Sequence, residues 1–141
     1  VWETLRVTLN RIGEYAAKKG VVFATETGPE PGPVLADLLQ ALDNDAIRAN
    51  FDPANIIMYG FDFEEALDAL LPYIVHTHAK DGFPSPGVFR EAPLGEGAVP
   101  WTSYVARLRA AGYRGAFTIE REQGPDPIGD TKKAIAFLRK L

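Results

Sequence analysis

Four side chains that can bind a divalent cation recur along the chain at nearly regular intervals. They are Glu26, Asp52, His78 and Glu120, with gaps of 26, 26 and 42 residues. Three carboxylates brought together without a cation would repel one another. Carboxylates combined with one imidazole suit Mn²⁺ or Mg²⁺, and the imidazole also accepts Zn²⁺ or Co²⁺. The pattern predicts a metal site wherever the fold brings these residues together.

Both histidines of the chain lie in one short segment, "IVHTHAKDG", at residues 74–82. In a strand, side chains alternate between two faces, so His76 and His78 point to the same side at different depths. His78 is nearer the carboxyl end of the strand and is the predicted metal ligand. His76 is expected to be a buried neighbour of the site or a core residue. Lys80 on the same face, or Asp81, is expected to brace the site or contact substrate.

Apolar periodicity and turn residues predict an alternating order of helices and strands. Strands are predicted at 21–26, 46–52, 73–81 and 115–121. Helices are predicted before Gly20, from Pro33, over 62–71, over about 100–111, and in a last segment capped by Asp130. This order implies parallel strands joined by helical crossovers, either in an open sheet or in part of a barrel.

The distribution of polar residues over the predicted strands favours the barrel. His76, His78 and Lys80 share one face of the third strand, and the other face carries Thr77 and Ala79. Open doubly wound sheets are apolar on both faces, whereas barrel strands carry active-site groups at the carboxyl ends of their inner faces. The prediction is therefore an α/β fold of the (β/α)8 TIM-barrel type.

The length of the chain predicts half of such a barrel. A complete barrel takes about 250 residues, and this chain has 141 with about four βα units, beginning in a helix. We expect residues 1–141 to form a single domain equivalent to the second half of the barrel. Either the chain is a fragment or two copies complement each other.

Composition narrows the classes of partner and location. The chain has no cysteine and a formal net charge of −4. The absence of cysteine excludes a disulfide scaffold and fits a reducing compartment, so a cytoplasmic location is expected. The chain is acidic overall and its sequence shows no basic stripe of the kind that binds nucleic acid, so no nucleic-acid partner is expected. No apolar run reaches the roughly 18–20 residues of a membrane span, so no membrane partner is expected.

Four short motifs carry a family resemblance over about residues 20–141. The motifs are "NFDPAN", "HTHAKD", "PLGEG" and "TIERE". In this order they resemble the xylose isomerase-like TIM barrels, the sugar phosphate isomerase/epimerase superfamily. The resemblance implies one divalent metal ion, Mn²⁺ first and Mg²⁺, Co²⁺ or Zn²⁺ as alternatives. Its ligands would be Glu26, Asp52, His78 and Glu120.

The same resemblance implies the chemistry. In the epimerases of this superfamily the two glutamates also act as acid and base, which assigns catalysis to Glu26 and Glu120. The reaction would be proton transfer next to a sugar carbonyl through a metal-stabilised enediolate. Asn55, Lys80 and Arg90 are the expected substrate contacts.

Three other functions are open. An inosose-type dehydratase would share the barrel, the metal and the proton abstraction. An endonuclease IV-like DNA-repair enzyme holds three zinc ions with additional histidines, and one of those positions is Asn55 here. A half-barrel without catalysis would leave two sheet edges uncovered. Such a chain is expected to form a homo-oligomer or to associate with the missing barrel half.

Overall fold

The computed structural model describes residues 1–85 and 87–141, which form alternating helices and strands. The strands are β1 (Phe23–Glu26), β2 (Ile47–Phe51), β3 (Ile74–Ala79), β4 (Asp81–Gly82), β5 (Glu91–Ala92) and β6 (Phe117–Ile119). The helices are α1 (Trp2–Lys18), α2 (Gly32–Gln40), α3 (Pro53–Met58), α4 (Phe63–Leu70), α5 (Trp101–Ala110) and α6 (Pro127–Leu138), and a 3-10 turn covers Leu71–Tyr73.

Four of the strands form one parallel sheet, in the order β1-β2-β3-β6. This confirms the predicted parallel strands and their succession. The short β4 and β5 pair separately as an antiparallel ladder within the long loop after β3. Because all four parallel strands run the same way, their carboxyl ends lie along one edge of the sheet.

Each strand is shorter than its predicted segment, and this has a consequence for the site. Glu26 is the last residue of β1, whereas Asp52 and Glu120 come immediately after β2 and β6. The three carboxylates therefore lie at the carboxyl edge of the ladder, and His78 lies one residue before the end of β3.

The two faces of the sheet differ as the alternation predicted. Phe51, Thr77 and Ala79 are fully buried beneath the helices. Phe51 and Ala79 belong to a hydrophobic core that draws mainly on α2, α3, α4 and α5. The opposite face carries the polar side chains and is only partly covered, which leaves it available for a site.

One helix was absent from the sequence prediction. α3 begins directly after β2, where Asp52 is the N-cap and Pro53 occupies the first turn. The Asp52 Oδ1 atom accepts hydrogen bonds from the backbone N–H groups of Ala54 and Asn55. An aspartate followed by proline is a common helix start, because proline has no N–H to leave unpaired in the first turn.

A second Asp-Pro pair marks the start of the last helix, which begins earlier in the chain than predicted. α6 begins at Pro127 and is capped by Asp126, whose Oδ1 accepts the N–H of Gly129 at 2.9 Å. Asp130, the predicted cap, instead accepts a hydrogen bond from Arg121 Nε at 3.0 Å. The prediction of Asp130 as the cap was therefore wrong.

The buried residues of the first helix are small. They are Gly13 and Ala16, whereas Trp2 is 46% exposed. Gly13 is needed because a Cβ there would lie 2.1 Å from Asn44 Oδ1. Within residues 1–85 and 87–141, no helix combines the length and apolarity needed to cross a membrane.

Asp81 organises the long loop that follows β3. Its buried carboxylate accepts five hydrogen bonds at 2.9–3.2 Å, from the N–H groups of Gly82, Gly95, Gly97 and Val99 and from Trp101 Nε1. The "PLGEG" segment therefore forms a turn that leads into α5, and Asp81 braces it. Trp101 is buried.

We expect Asp81→Ala to lower the free energy of unfolding by about 3 kcal/mol or more, because hydrogen bonds to a charged group contribute about 1.5–3 kcal/mol each. Urea denaturation followed by circular dichroism measures the change. Asp45→Ala is the control, because Asp45 is an exposed carboxylate paired with Arg48, and its loss should cost less than about 1 kcal/mol. Equal losses in the two variants would contradict the role of Asp81.

Candidate metal site

The sheet brings the four predicted ligands together. Glu26, Asp52, His78 and Glu120 each offer one ligand atom, and these atoms all lie within 4.8 Å of one another. His78 Nδ1 lies 3.2 Å from Glu26 Oε1, 3.2 Å from Glu120 Oε2 and 3.5 Å from Asp52 Oδ2. The spacing of 26, 26 and 42 residues thus corresponds to one convergent cluster.

These separations fit a shared cation better than direct hydrogen bonds. A single Nδ1 atom carries at most one proton, yet it faces three carboxylate oxygens. Two ligand atoms about 2.1 Å from one ion and at a right angle to each other are about 3 Å apart. In the described part of the chain, the buried Asp52 Oδ2 has no hydrogen-bond partner. A buried carboxylate oxygen of this kind needs compensation, which a cation would provide.

His78 is oriented by Asn50 from the neighbouring strand. The Asn50 Nδ2 atom lies 3.1 Å from His78 Nε2, and among the described residues Asn50 Oδ1 has no partner. Rotating the amide by 180° would let Oδ1 accept a hydrogen bond from Nε2–H. The Nδ1 lone pair would then face the carboxylates. Metal-binding histidines commonly donate their second N–H in this manner.

The electrostatics of the cluster reflect its crowded charges. Burial raises the pKa of Glu26, and the carboxylates of Asp52 and Glu120 add to this rise while His78 opposes it. The pKa of His78 is raised mainly by the neighbouring Asp52 carboxylate, with Glu120 and Glu26 contributing. Both directions mean that, in the absence of a cation, the cluster favours holding protons.

Lys80 is the positive charge built into this face. Its side chain is nearly buried, and Nζ lies 3.0 Å from Glu120 Oε2 and 2.5 Å from Glu122 Oε2. Burial alone would lower the pKa of Lys80, but these carboxylates and Asp52 outweigh burial, so the pKa is raised. Lys80 is therefore a cation across the neutral range, and it holds Glu120 in place.

Glu91, from β5 in the long loop, was not recognised as part of the site from the sequence. Its side chain is 1% exposed. One oxygen, Oε2, accepts hydrogen bonds from Arg121 and from the N–H groups of Glu122 and Gln123 at 3.0–3.1 Å. Glu91 thus fixes the segment that follows Glu120. Only the folded structure brings these residues together, since Glu91 lies about 30 residues before its partners.

The three predicted substrate contacts have different surroundings. A cleft of about 570 Å³ opens beside the cluster, and Asn55 and Lys80 line it. Asn55 also donates a hydrogen bond to Glu26 Oε1 at 3.1 Å. Arg90 does not line the cleft, because its guanidinium group lies over the Phe83 ring at 4.9 Å. The structure therefore does not bring Arg90 into the site.

Two other polar residues of the strands differ in how they relate to the cluster. His76 is half-buried next to His78, with the ring centroids 5.7 Å apart. This fits the expected neighbour of the site. Arg48 pairs with exposed Asp45 at 2.6 Å, whereas the Asn50 side chain contacts His78.

The chain matches the family model described as xylose isomerase-like TIM barrel over residues 1–141. It therefore belongs to the xylose isomerase-like TIM-barrel family, which confirms the resemblance and the predicted fold class. Among solved structures, a xylose isomerase domain protein from Planctomyces limnophilus has a TM-score of 0.87 and 33% identity, over 98% of this chain and 52% of that one.

Curated relatives include sugar epimerases and a dehydratase. L-ribulose-5-phosphate 3-epimerase UlaE of Salmonella paratyphi C (strain RKS4594) is 35% identical over 100 residues, which are 70% of this chain and 34% of the epimerase. Inosose dehydratase of Geobacillus thermodenitrificans (strain NG80-2) is 26% identical over 161 residues, covering 99% of this chain and 54% of the dehydratase. The chain thus spans about a third to a half of the length of these relatives.

A more distant solved structure has the same fold and was determined with a metal. It is a xylose isomerase-like TIM barrel protein from Mycobacterium smegmatis in complex with magnesium. Its TM-score is 0.73 at 21% identity, over 93% of this chain and 47% of that one.

We expect Asp52→Asn to abolish stabilisation by Mn²⁺ while keeping the fold. The asparagine can still cap α3 through its side-chain oxygen, but it removes the charge of the most buried ligand. A single bound ion stabilises a protein by about 2.7 kcal/mol at 100 times its dissociation constant. Thermal unfolding with and without Mn²⁺ measures this gain.

Asp62→Asn is the matched control for that experiment. Asp62 caps α4 in the same manner, through the N–H of Glu65 at 2.8 Å, but it is not one of the four cluster residues. This variant should keep the full Mn²⁺ shift. A persistent shift in Asp52→Asn would argue against the proposed ligand set.

Asn50→Leu should weaken Mn²⁺ binding by about 10–100-fold, the usual effect of losing the partner that orients a ligating histidine. Isothermal titration calorimetry gives the affinity. Arg48→Gln, on the same strand and face, should leave the affinity within about twofold, because Arg48 pairs with exposed Asp45. Equal effects of the two substitutions would mean that Asn50 acts only on general strand stability.

Proposed function

We propose that this chain carries the metal site and the proton-transferring pair of a divalent-metal-dependent isomerase or epimerase of sugars or sugar phosphates. The observation that carries the proposal is the single His78 Nδ1 atom facing three carboxylates within 3.5 Å. The epimerases among the relatives support the reaction class. Because the chain spans only part of those proteins, the activity and substrate of the whole protein form part of the proposal.

The proposed ligands are Glu26, Asp52, His78 and Glu120, and the ion is Mn²⁺ first, with Mg²⁺, Co²⁺ or Zn²⁺ as alternatives. The xylose isomerase-like TIM barrel protein solved in complex with magnesium is consistent with a divalent ion as the cofactor. When bound, such an ion polarises a sugar carbonyl and lowers the cost of removing the neighbouring proton.

Exposure separates the acid–base residues from the purely structural ligand. The Asp52 side chain is fully buried, whereas those of Glu26 and Glu120 are 42% and 29% exposed and both line the cleft. Among the three carboxylate ligands, only these two line the cleft and can approach a substrate carbon directly. They lie at β1 and β6, the outermost strands of the sheet. We therefore propose that one removes the proton and the other returns it, from different sides of the substrate.

A dehydratase is the second candidate. The inosose dehydratase relative aligns with 99% of this chain, more than the UlaE alignment covers. Elimination would begin with the same proton abstraction and would then expel a hydroxyl group. Analysis of the product distinguishes the two reactions, since elimination releases water and changes the mass of the sugar.

We also propose that a partner completes the barrel. β1 and β6 are edge strands, and Val21, Val22 and Phe23 beside β1 are about half exposed. Edge strands with exposed apolar residues favour pairing with further strands. A second copy or the remaining strands of the barrel would cover them, and analytical ultracentrifugation of the chain measures the first of these.

We expect the Mn²⁺-loaded protein to exchange the proton next to the carbonyl of a ketose with deuterium from the solvent. Glu26→Gln and Glu120→Gln should each slow this exchange by about 10²–10⁴-fold, because each removes one acid–base group. Proton NMR in D₂O measures the exchange, and metal content is determined for each variant.

Glu65→Gln, an exposed residue of α4 away from the cleft, should exchange at the parental rate. Exchange that proceeds without metal, or that is unchanged in both Glu26→Gln and Glu120→Gln, would contradict the proposed function.

A further inference from the structure

The relatives leave one property of the substrate open. One acts on a sugar phosphate by its name and another on an inosose. On the basis of the proposed function, we infer that this site takes an unphosphorylated sugar or cyclic polyol ketone and rejects the phosphate ester. The inference rests on the charges and the aromatic surface of the cleft.

The cleft is lined by an excess of carboxylates. Glu26, Glu91, Glu120 and Glu122 line it, and among its described lining residues Lys80 is the one cationic side chain. Lys80 is already paired with Glu120 and Glu122. A phosphate group bound away from the metal would therefore meet carboxylates, and the described lining side chains offer it no uncommitted cation.

Two arginines near the site in the sequence do not line the cleft. Arg121 donates to Glu91 at 3.1 Å and to Asp130 at 3.0 Å. Arg90 lies over the Phe83 ring. Proteins usually recognise phosphate with arginine side chains, and neither of these guanidinium groups is placed in the cleft to do so.

Two helix N-termini, which are another common kind of phosphate site, are occupied by the chain's own carboxylates. Asp52 caps α3 and Asp126 caps α6, each through backbone N–H groups of the first turn. These N–H groups would otherwise be the donors for a phosphate. At both of these helix N-termini the backbone N–H groups are thus already bonded to a carboxylate of the chain, which disfavours binding of an additional anion.

One wall of the cleft is aromatic, which suits an uncharged carbohydrate. Tyr59 and Phe89 line it with Met58, and the two rings meet edge-on with centroids 4.8 Å apart. Phe89 comes from the long loop and Tyr59 from the end of α3. An aromatic surface packs well against the C–H groups of a sugar but offers nothing to a dianion. The carboxylates opposite can accept hydrogen bonds from hydroxyl groups.

The discriminating group is Glu122 at the rim of the cleft. Its side chain is 64% exposed, and it contacts Lys80 at 2.5 Å. It lines the cleft together with the aromatic wall and Glu120, so its charge adds to those that a phosphate group would meet. Repulsion of a competing ligand is an effective source of specificity, and at an exposed position it weakens as salt is added.

The test compares free ketoses with their phosphate esters on Mn²⁺-loaded protein from which unbound metal has been removed. Ribulose, xylulose and fructose are each paired with their terminal phosphate ester, and calorimetry measures both affinities. We expect each free sugar that binds to bind at least about tenfold more tightly than its ester, a gap that narrows as ionic strength rises.

Glu122→Gln should reduce the difference in affinity between the free sugar and its phosphate ester. It should do so by strengthening binding of the ester, because it removes one repelling charge. Glu65→Gln, outside the cleft, and Arg90→Ala should leave the gap unchanged. Loss of ester binding in Arg90→Ala would mean that Arg90 turns inward to hold phosphate, which would overturn the inference.

An ester that binds more tightly than its free sugar would also overturn the inference, while leaving the proposed function intact if metal-dependent proton exchange persists. A protein that binds neither metal nor any sugar contradicts the proposed function, and the inference fails with it. The two failures are therefore distinguishable.

Discussion

The structure depends on holding three carboxylates and one imidazole nitrogen within a few ångströms of one another. In water these groups would separate, because their charges repel and their solvation is lost on burial. Backbone pairing across β1, β2, β3 and β6 overrides this tendency, since each strand ends within one residue of a candidate ligand. The apolar face of the same sheet supplies the buried area that stabilises the arrangement. Packing on the apolar face thus offsets the repulsion between the carboxylates on the polar face.

Much of this arrangement could be predicted from the sequence, because it follows from local repeats. Strand alternation fixes the face on which His78 and Lys80 lie, and the spacing of βα units brings Glu26, Asp52 and Glu120 to the same edge. Composition and periodicity also gave the α/β class, and the family comparison confirms the barrel type. These properties need no knowledge of long-range side-chain contacts.

The remaining features depend on contacts that periodicity does not encode. Asn50 reaches His78 across 28 residues, and Glu91 reaches Gln123 across 32. A loop residue such as Glu91 gives no sign in the sequence that it will be buried. Arg90, its neighbour, was expected in the site and instead packs over Phe83. The start of α6 was misplaced because two aspartates, Asp126 and Asp130, both resemble caps, and the proline after the first decides between them.

The position of Glu26 and Glu120 on the two outermost strands has a mechanical consequence. A cation shared by both would pull the two margins of a four-stranded ribbon toward one point, which would increase its curvature. The curvature of the sheet would then depend on whether the metal site is occupied. Closure of a complete barrel would be favoured by the bound ion as well as by the packing of the helices, so the ion would contribute both to the reaction and to the fold.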